Sequence, residues 1–345
     1  MTTSLRFVLA AMVALPAAQV DVPGFVMWSA AELEGRHAAL SARVGPDHSA
    51  RETLAEYGHP GGAHRFRLIH RDADGVPEQH AHVEDVVFVQ SGAATLQLGG
   101  LMVDPSAGDN GESIGTDIRG GVRHVVGPGD ILRIPADTPH RYLVPDDGYV
   151  TYVLVRLPVM LAGGAIPDDA PALTLEPPGF VRWGADELTR RDAALATRVG
   201  PDRSARETLA DFGSPTRSHR FRFIHRDADG RPEIHDDIID VVFVKSGAGQ
   251  VLVGGEMIDR DGSVGTGIAG GTRHPVAAGD MLHIPAGCRT DTSSPTAATS
   301  PTCWCGSPRC SGKHDRHRPE PRGATYDSSV SAPAVIIVGI SRPAS

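Results

Sequence analysis

Side chains that can hold a metal ion are concentrated in one short stretch of the sequence. Residues 78–85 read Glu-Gln-His-Ala-His-Val-Glu-Asp, and an apolar run, Val86–Val89, follows directly. A further histidine, His140, comes after a second apolar run, Ile131–Ile134. Neutral imidazole and ionised carboxylate suit Fe, Mn, Ni or Zn, and two histidines with a carboxylate leave open positions for a substrate. These residue types therefore indicate metal-dependent chemistry.

The sequence around these residues occurs twice. Residues 49–55 return as residues 204–210, and residues 69–75 return as residues 224–230. A match of this length indicates the tandem duplication of one domain. We predict a first domain at residues 22–160, a linker at 161–177 and a second domain at 178–287.

Each copy is predicted to begin with a short helix and to continue as strands. Ser29-Ala30-Ala31-Glu32 forms a capping box, which marks the start of a helix. Polar and apolar residues alternate from His64 to His70, and glycine pairs such as Gly99-Gly100 mark turns. Many short strands separated by turns predict an all-β sandwich or jelly-roll barrel.

Two segments of the first copy resemble the two short motifs of the cupin superfamily. In residues 78–92, Asp85 takes the place of the family's glutamate and lies at the family's distance from Gly92. In residues 129–140, the proline and the final histidine are at the expected spacing, and Asp137 replaces a glycine. The resemblance extends over both copies. It implies an all-β fold of two tandem cupin barrels (jelly-roll, double-stranded β-helix), the second one incomplete.

The resemblance also implies a metal site, and the first motif fits the sequence in two registers. With His80 and His82 as the ligand pair, the gap before Asp85 is one residue shorter than in the family. With Glu78 and His80, the gap fits, but a glutamate stands where the family has its first histidine.

The second copy favours the register that includes Glu78. It keeps Glu233, His235 and Asp240 at the matching positions, whereas Asp237 stands where the first copy has His82. Thr290 stands at the position of His140, so a complete site is expected in the first copy alone. The predicted metal ligands are His80, Asp85 and His140, with His82 as a substitute ligand and Glu78 as a fourth ligand or an acid/base.

The resemblance implies a protein that uses one divalent transition metal (Fe, Mn, Ni or Zn) to act on a small molecule. The superfamily includes dioxygenases, isomerases and non-catalytic binders, so the fold does not select the reaction. The leading interpretation is a metal-dependent bicupin enzyme that acts on a small molecule, with oxygenation and isomerisation as its candidate reactions. Two alternatives stay open: a non-catalytic cupin that binds or senses a small ligand, and a decayed duplicate without stable activity.

Composition limits the partners. The formal net charge of -9, without a basic stripe, argues against nucleic acid, and no apolar run is long enough to span a bilayer. Association into a homo-oligomer is compatible with the sequence. Residues 1–18 resemble a signal peptide, which predicts a secreted or periplasmic protein. A misassigned start codon and a cytoplasmic protein are the alternative.

The sequence after Gly287 is predicted to be read in a shifted frame. Moving the frame back by one nucleotide lets the codon of Thr290 contribute to a histidine codon, and it restores most of the residues of the first copy up to Cys310. We therefore expect residues 288–345 to be disordered, and the second barrel to lack its closing strands. The cysteines at 303, 305 and 310 would then be unselected rather than zinc ligands.

Overall fold

The computed structural model describes residues 22–58, 64–158, 176–214, 217–293 and 333–341. The predicted signal peptide (1–18) and most of the predicted linker (161–175) lie outside the described residues. The described residues form many short antiparallel strands and two α-helices, so the all-β prediction is confirmed.

The first half of the chain contains fourteen strands, one α-helix and one 3-10 turn (Asp109–Gly111) among its described residues. Their bounds are β1 (Val26–Trp28), α1 (Ala30–Ser41), β2 (Ser49–Tyr57), β3 (His64–Arg71), β4 (Glu78–His80), β5 (Val83–Gly92), β6 (Ala94–Leu98), β7 (Leu101–Val103), β8 (Ser106–Ala107), β9 (Glu112–Ile114), β10 (Asp117–Arg119), β11 (Val122–Val126), β12 (Ile131–Ile134), β13 (His140–Leu143) and β14 (Val150–Pro158).

The second half repeats this order with fewer strands in the middle. The bounds are β15 (Val181–Trp183), α2 (Ala185–Ala196), β16 (Ser204–Ser214), β17 (Arg217–Arg226), β18 (Glu233–Ile234), β19 (Ile238–Ser246), β20 (Ala248–Val253), β21 (Glu256–Ile258), β22 (Gly267–Ala269), β23 (Thr272–Ala277), β24 (Met281–Ile284), β25 (Arg289–Ser293) and β26 (Ala334–Ser341).

The two helices begin differently. The Ser29 side chain accepts a hydrogen bond of 3.1 Å from the Glu32 amide at the start of α1, as the capping box predicts. Gly184 precedes α2 and offers no side-chain cap. Neither helix is long and apolar enough to cross a membrane, and no other helix in the described ranges is.

Each half forms a barrel of two facing sheets. In the first barrel, a sheet of order β15-β12-β5-β14-β3-β2 faces a sheet of order β11-β6-β13-β4-β9-β8. The apolar side chains between them are buried and come from both sheets, for example Val87, Leu132, Leu96 and Tyr142. In the second barrel, the corresponding sheets have the orders β1-β24-β19-β26-β17-β16 and β18-β25-β20-β23.

The two barrels exchange their first strands. Strand β1 pairs with β24 of the second barrel, and β15 pairs with β12 of the first. A shared apolar core lies between the barrels, where the rings of Phe88 and Phe243 are 5.3 Å apart. Strand exchange and shared core make the pair of barrels one packing unit.

The second barrel has a closing strand, contrary to the sequence prediction. Strand β26 lies between β17 and β19, in the place that β14 takes between β3 and β5 in the first barrel. Strand β25 also continues the chain past Gly287 and pairs with β18 and β20. The expectation of disorder is therefore wrong for residues 289–293 and 334–341; residues 294–332 lie outside the described part of the chain, and the shifted frame stays a prediction.

Alternating apolar residues explain why β26 fits that place. Ala334, Ile336 and Val338 are buried in the core between the barrels, while Val335 and Ile337 pack inside the second barrel. An apolar segment with a period of two can satisfy both faces of a central strand. The facing edges of β17 and β19 are thus covered.

Candidate metal centre

Two neighbouring strands of one sheet bring three of the predicted site residues together. Glu78 and His80 lie on β4, and residues two apart on a strand point to the same side. His140 opens β13, which pairs with β4 so that His140 is opposite Glu78. Asp85 comes from β5 of the facing sheet, where it is opposite Ile134 and Arg156. The site is therefore built between the sheets of the first barrel.

The distances between these side chains suit a metal ion. Glu78, His80 and His140 each offer a ligand atom, and the three atoms lie within 4.8 Å of one another. The Nε2 atoms of His80 and His140 are 3.8 Å from the Glu78 carboxylate, and 3.5 and 3.7 Å from Asp85 Oδ2. Metal bonds of about 2.0–2.2 Å place neighbouring ligand atoms about 3–3.5 Å apart, so only a small contraction is required.

Both histidines present a nitrogen lone pair to the site. His140 Nδ1 donates to the carbonyl of Thr138 at 2.9 Å, which leaves Nε2 as the unprotonated nitrogen of the neutral ring. Burial, followed by the neighbouring His140 and Arg156, lowers the pKa of His80 to about 3. His80 is therefore neutral near pH 7, in the form that binds a metal. Its Nδ1 is buried without a hydrogen-bond partner among the described residues.

Arg156 links His80 to two acidic side chains of the site. Its Nη2 donates to His80 Nε2 at 2.8 Å, its Nε donates to Asp85 Oδ1 at 3.2 Å, and its Nη1 donates to Glu112 at 2.5 Å. Asp85 and Glu112 thus hold a buried cation beside the candidate ligands. A metal ion at His80 Nε2 would have to replace the Arg156 contact on that lone pair.

A second arginine lies behind Glu78. Arg71 Nη2 is 3.6 Å from Glu78 Oε1, and Arg71 Nε donates to the Tyr152 hydroxyl at 3.2 Å. The Tyr152 ring stacks on Tyr142 at 4.8 Å, and burial raises the pKa of both phenols. The two tyrosines fill the barrel interior next to the site.

The sequence prediction missed these supporting residues. Arg156 lies in an otherwise apolar strand, and a charge in such a run must find a partner when the strand is buried. That signal identifies Arg156 as a candidate, but not its partners. Glu112 gives no local signal, because it reaches His80 only through the pairing of β9 with β4.

His82 is not part of the cluster. Strand β4 ends at His80 and β5 begins at Val83, so Ala81 and His82 form a bend between them. The alternation that would turn His82 to the side of His80 is interrupted there, and the His82 side chain is exposed.

The second barrel keeps part of this set. Glu233 is opposite Thr290, as Glu78 is opposite His140. His235 Nδ1 and Asp240 Oδ2 are 2.7 Å apart, and this hydrogen bond raises the pKa of His235. Within the described ranges, the one group of three metal-capable side chains in mutual reach is Glu78, His80 and His140.

No known protein-family profile matches the sequence, and no curated protein matches it significantly. Solved structures do match the fold. The salicylate 1,2-dioxygenase of Pseudaminobacter salicylatoxidans superposes with a TM-score of 0.54 at 13% identity, over 96% of this chain and 90% of that one. A glyoxylate-induced protein of Pseudomonas aeruginosa superposes with a TM-score of 0.50 at 12% identity, over 96% and 93% of the two chains.

These matches extend over both barrels and most of both chains, at identities that carry information about fold alone. Antiparallel barrels of two facing sheets, built twice from a duplicated sequence, agree with them. The chain therefore has the fold of these structures, two tandem jelly-roll barrels in one polypeptide, which is the fold that the resemblance to cupins implied.

Proposed function

We propose that this protein is a metal-dependent enzyme that acts on a small molecule, with one divalent transition metal in the first barrel. The observation that carries the proposal is the convergence of Glu78, His80 and His140 within 4.8 Å between two sheets. Asp85 completes the proposed ligand set, because its Oδ2 faces both histidine Nε2 atoms while its Oδ1 is held by Arg156.

The donor set fits Fe, Mn, Ni or Zn. Two neutral imidazoles and carboxylates without a thiolate are typical of sites for these ions. When bound, the ion supplies Lewis-acid or redox chemistry at its open positions. The protein contributes buried, preorganised side chains, and the unpartnered His80 Nδ1 lies 3.6 Å from Glu112 Oε1, which can orient the ring.

The remaining residues of the site position a substrate and move protons. Arg156 and Arg71 place two positive charges beside the cluster, which favours a substrate with an anionic group. Glu78 is the most accessible of the proposed ligands, with 26% of its side chain exposed against 3–4% for the others. Glu78 is therefore the carboxylate best placed to exchange a proton with substrate or solvent.

The reaction class that we propose is oxygenation. Its support is the fold of the structural neighbours, among which are structures of one salicylate 1,2-dioxygenase, including a variant in complex with gentisate. Oxygen uptake by the metal-loaded protein should be measured with small aromatic acids, including salicylate and gentisate. Uptake that depends on His140 would support this class, and metal binding without uptake for any of these acids would argue against it.

The first experiment is metal analysis of the full chain, purified without a histidine tag. About one transition metal per chain is expected, and His80→Ala should remove it, since a partly open site depends on each ligand. The matched control is His82→Ala, because His82 is close in sequence but exposed outside the cluster. Equal metal content in both variants would contradict the proposed site.

A non-catalytic binding protein is the second candidate. It is favoured by the Arg156–His80 contact, in which the guanidinium takes the lone pair that a metal would use. In that case Arg156 and its acidic partners form the binding site themselves. Purified protein that stays free of metal after incubation with Fe, Mn, Ni and Zn would select this candidate.

A further inference from the structure

The second barrel contains a cavity that the proposed metal chemistry does not use. Its walls are aliphatic side chains from both sheets, including Ile224, Val242, Leu282, Val335 and Ile337 from one sheet and Val251 from the other. Its polar lining includes Arg226, Glu233, Asp240 and Thr292. Ligand pockets are typically lined in this way, by apolar side chains with a few polar groups.

Two tyrosine rings of the first barrel are missing from the second, which explains the cavity. Tyr152 is opposite Ile69 in the first barrel, and Val335 is opposite Ile224 in the second. Ile69 and Ile224 are equivalent positions of the duplicated sequence.

The facing sheet shows the same exchange. Tyr142 is opposite Leu96, and Thr292 is opposite Val251, the residue equivalent to Leu96. In the first barrel these two tyrosines are stacked and each is 2% exposed. The second barrel thus has the same frame with two phenol rings removed.

The arginine that contacts a tyrosine hydroxyl in the first barrel is retained in the second. Arg71 is opposite Ser49, and Arg226 is opposite Ser204. Arg71 lies 3.6 Å from Glu78, and Arg226 lies 3.6 Å from Glu233. Arg71 also donates to the Tyr152 hydroxyl, but the residue that takes the place of Tyr152 in the second barrel is a valine.

We propose that the second barrel binds a small uncharged phenol, whose ring takes the space of the missing tyrosines and whose hydroxyl accepts a hydrogen bond from Arg226. A pocket with mostly aliphatic walls and a few polar groups suits a ligand with an apolar ring and one polar group. The Oγ1 atom of Thr292 is buried without a partner in the described part of the chain and offers a second polar contact. Glu233 and Asp240 in the lining disfavour an anionic ligand such as benzoate.

The test is calorimetric titration of the full chain with phenol, benzene and benzoate. Phenol should bind at one site per chain, about tenfold more tightly than benzene, because a hydrogen bond to a charged donor distinguishes the two. Arg226→Met should remove that difference and leave benzene binding unchanged. His140→Ala should leave phenol binding unchanged, which separates this cavity from the proposed metal site in the first barrel.

Filling the cavity is the decisive variant. Val335→Tyr restores the ring of the first barrel and should abolish phenol binding without lowering the melting temperature. Val125→Tyr is the matched control, since Val125 is 70% exposed on the first barrel and the same substitution there should leave binding intact. If Val335→Tyr does not fold, Thr292→Tyr fills the same space from the facing sheet. Absence of phenol binding in the unmodified protein, or binding that persists in a folded filled variant, would overturn the proposal.

Discussion

The two barrels share a strand order and a backbone frame but not an interior. Glu78, His80 and Asp85 have counterparts in Glu233, His235 and Asp240, so three of the four candidate ligands are present twice. The differences are concentrated on the last strands of each barrel. Thr290 replaces His140, and Gly339, which is opposite Asp240, replaces Arg156, which is opposite Asp85.

The contrast shows that apolar alternation determines the frame, and that a few polar positions determine what the frame can do. Strand β26 has the buried faces required of a closing strand, and it completes the sheet although it has no arginine. A barrel can therefore keep its core and lose its ligand set. Function has to be argued separately for each barrel, from the side chains between its sheets.

The interface between the barrels is also asymmetric. On one side, buried Glu84 accepts hydrogen bonds from Arg133 and from His219 Nδ1, which lies 2.5 Å away. Arg133 also lies over the ring of Phe212, 3.7 Å from its centroid. This side of the interface is therefore stabilised by opposite charges that are buried in contact with each other.

On the other side, Ile239 stands at the position of Glu84, and a cluster of aromatic rings takes the place of the ion pair. His283 corresponds to Arg133 and stacks on Tyr57 at 3.9 Å. Its Nε2 lies 3.0 Å from His64 Nε2. The same packing frame thus accepts a charged cluster on one side and an aromatic cluster on the other.

The largest effect is expected from exchanging His140 and Thr290, which occupy equivalent positions in the two barrels. His140→Thr should weaken metal binding by more than about 100-fold, because it removes a directly bound ligand and not merely a supporting group. Thr290→His should create a second, weaker site, since Glu233 and His235 are already present on β18 and beside it. Metal stoichiometry of the purified variants measures both changes.

The exchange also tests whether the backbone of the second barrel, given the missing histidine, is sufficient to form a metal site. A second metal equivalent in Thr290→His would show that one histidine separates the two barrels. No gain in Thr290→His, together with full loss in His140→Thr, would mean that Arg156 and Glu112 are also required to arrange the ligands.

The next largest effect concerns the charged side of the interface. Glu84→Gln should lower the free energy of unfolding by about 3–5 kcal/mol, because it leaves Arg133 buried without its counter-charge. Denaturant unfolding at pH 7 measures the change. Glu34→Gln is the matched control, since Glu34 is exposed on α1.

The same variant has a predictable pH dependence. Burial alone would raise the pKa of Glu84, but the contacts with His219 and Arg133 together hold it below its usual value. A lowered pKa in the folded state stabilises the protein above the unfolded pKa of about 4.3, and this contribution is lost as the pH falls through the folded value. The difference between Glu84→Gln and the unmodified protein should therefore be largest near pH 7 and shrink below about pH 4. A difference that is constant with pH would show that the Glu84 charge does not stabilise the interface.

A smaller effect is expected from the fourth proposed ligand. Asp85→Asn should weaken metal binding by about 10- to 100-fold, because an amide is a poorer ligand and no longer balances the charge of Arg156. Asp240→Asn makes the same change in the second barrel and should leave metal binding unaltered. Equal affinities in Asp85→Asn and the unmodified protein would remove Asp85 from the ligand set and leave it as a partner of Arg156.

Much of the frame, and part of the site, could be predicted from local sequence. The helix start at Ser29 depends on neighbouring residues, and that expectation agrees with the structure. The exchange of β1 and β15 and the contact of Glu112 with Arg156 depend on pairing between distant strands. Such pairing is set by the packing of whole sheets, and no local spacing encodes it.

The sequence did not predict the closing strand β26, for a related reason. Its alternation is visible in the sequence, but a long stretch separates it from β25, and the repeat no longer gives its register. Only the buried faces of β17 and β19 show where it belongs.

The smallest effect distinguishes the two helices. Ser29 Oγ accepts from the Glu32 amide, so Ser29→Ala should destabilise the protein by about 1 kcal/mol through an unsatisfied amide at the start of α1. Gly184 has the same extended backbone, with φ -71° and ψ 150° against -71° and 153° for Ser29, and it offers no side chain. Gly184→Ser should therefore gain a few tenths of a kcal/mol in stability, because serine and glycine differ little as caps.

Denaturant midpoints of the two single variants and the double variant measure both effects. The two helices lie far apart in sequence and cap independently, so the changes should add. A Gly184→Ser variant that is less stable than the unmodified protein would show that the neighbouring Arg182 decides the cap instead, since its guanidinium would lie 3.5 Å from a Cβ added at Gly184.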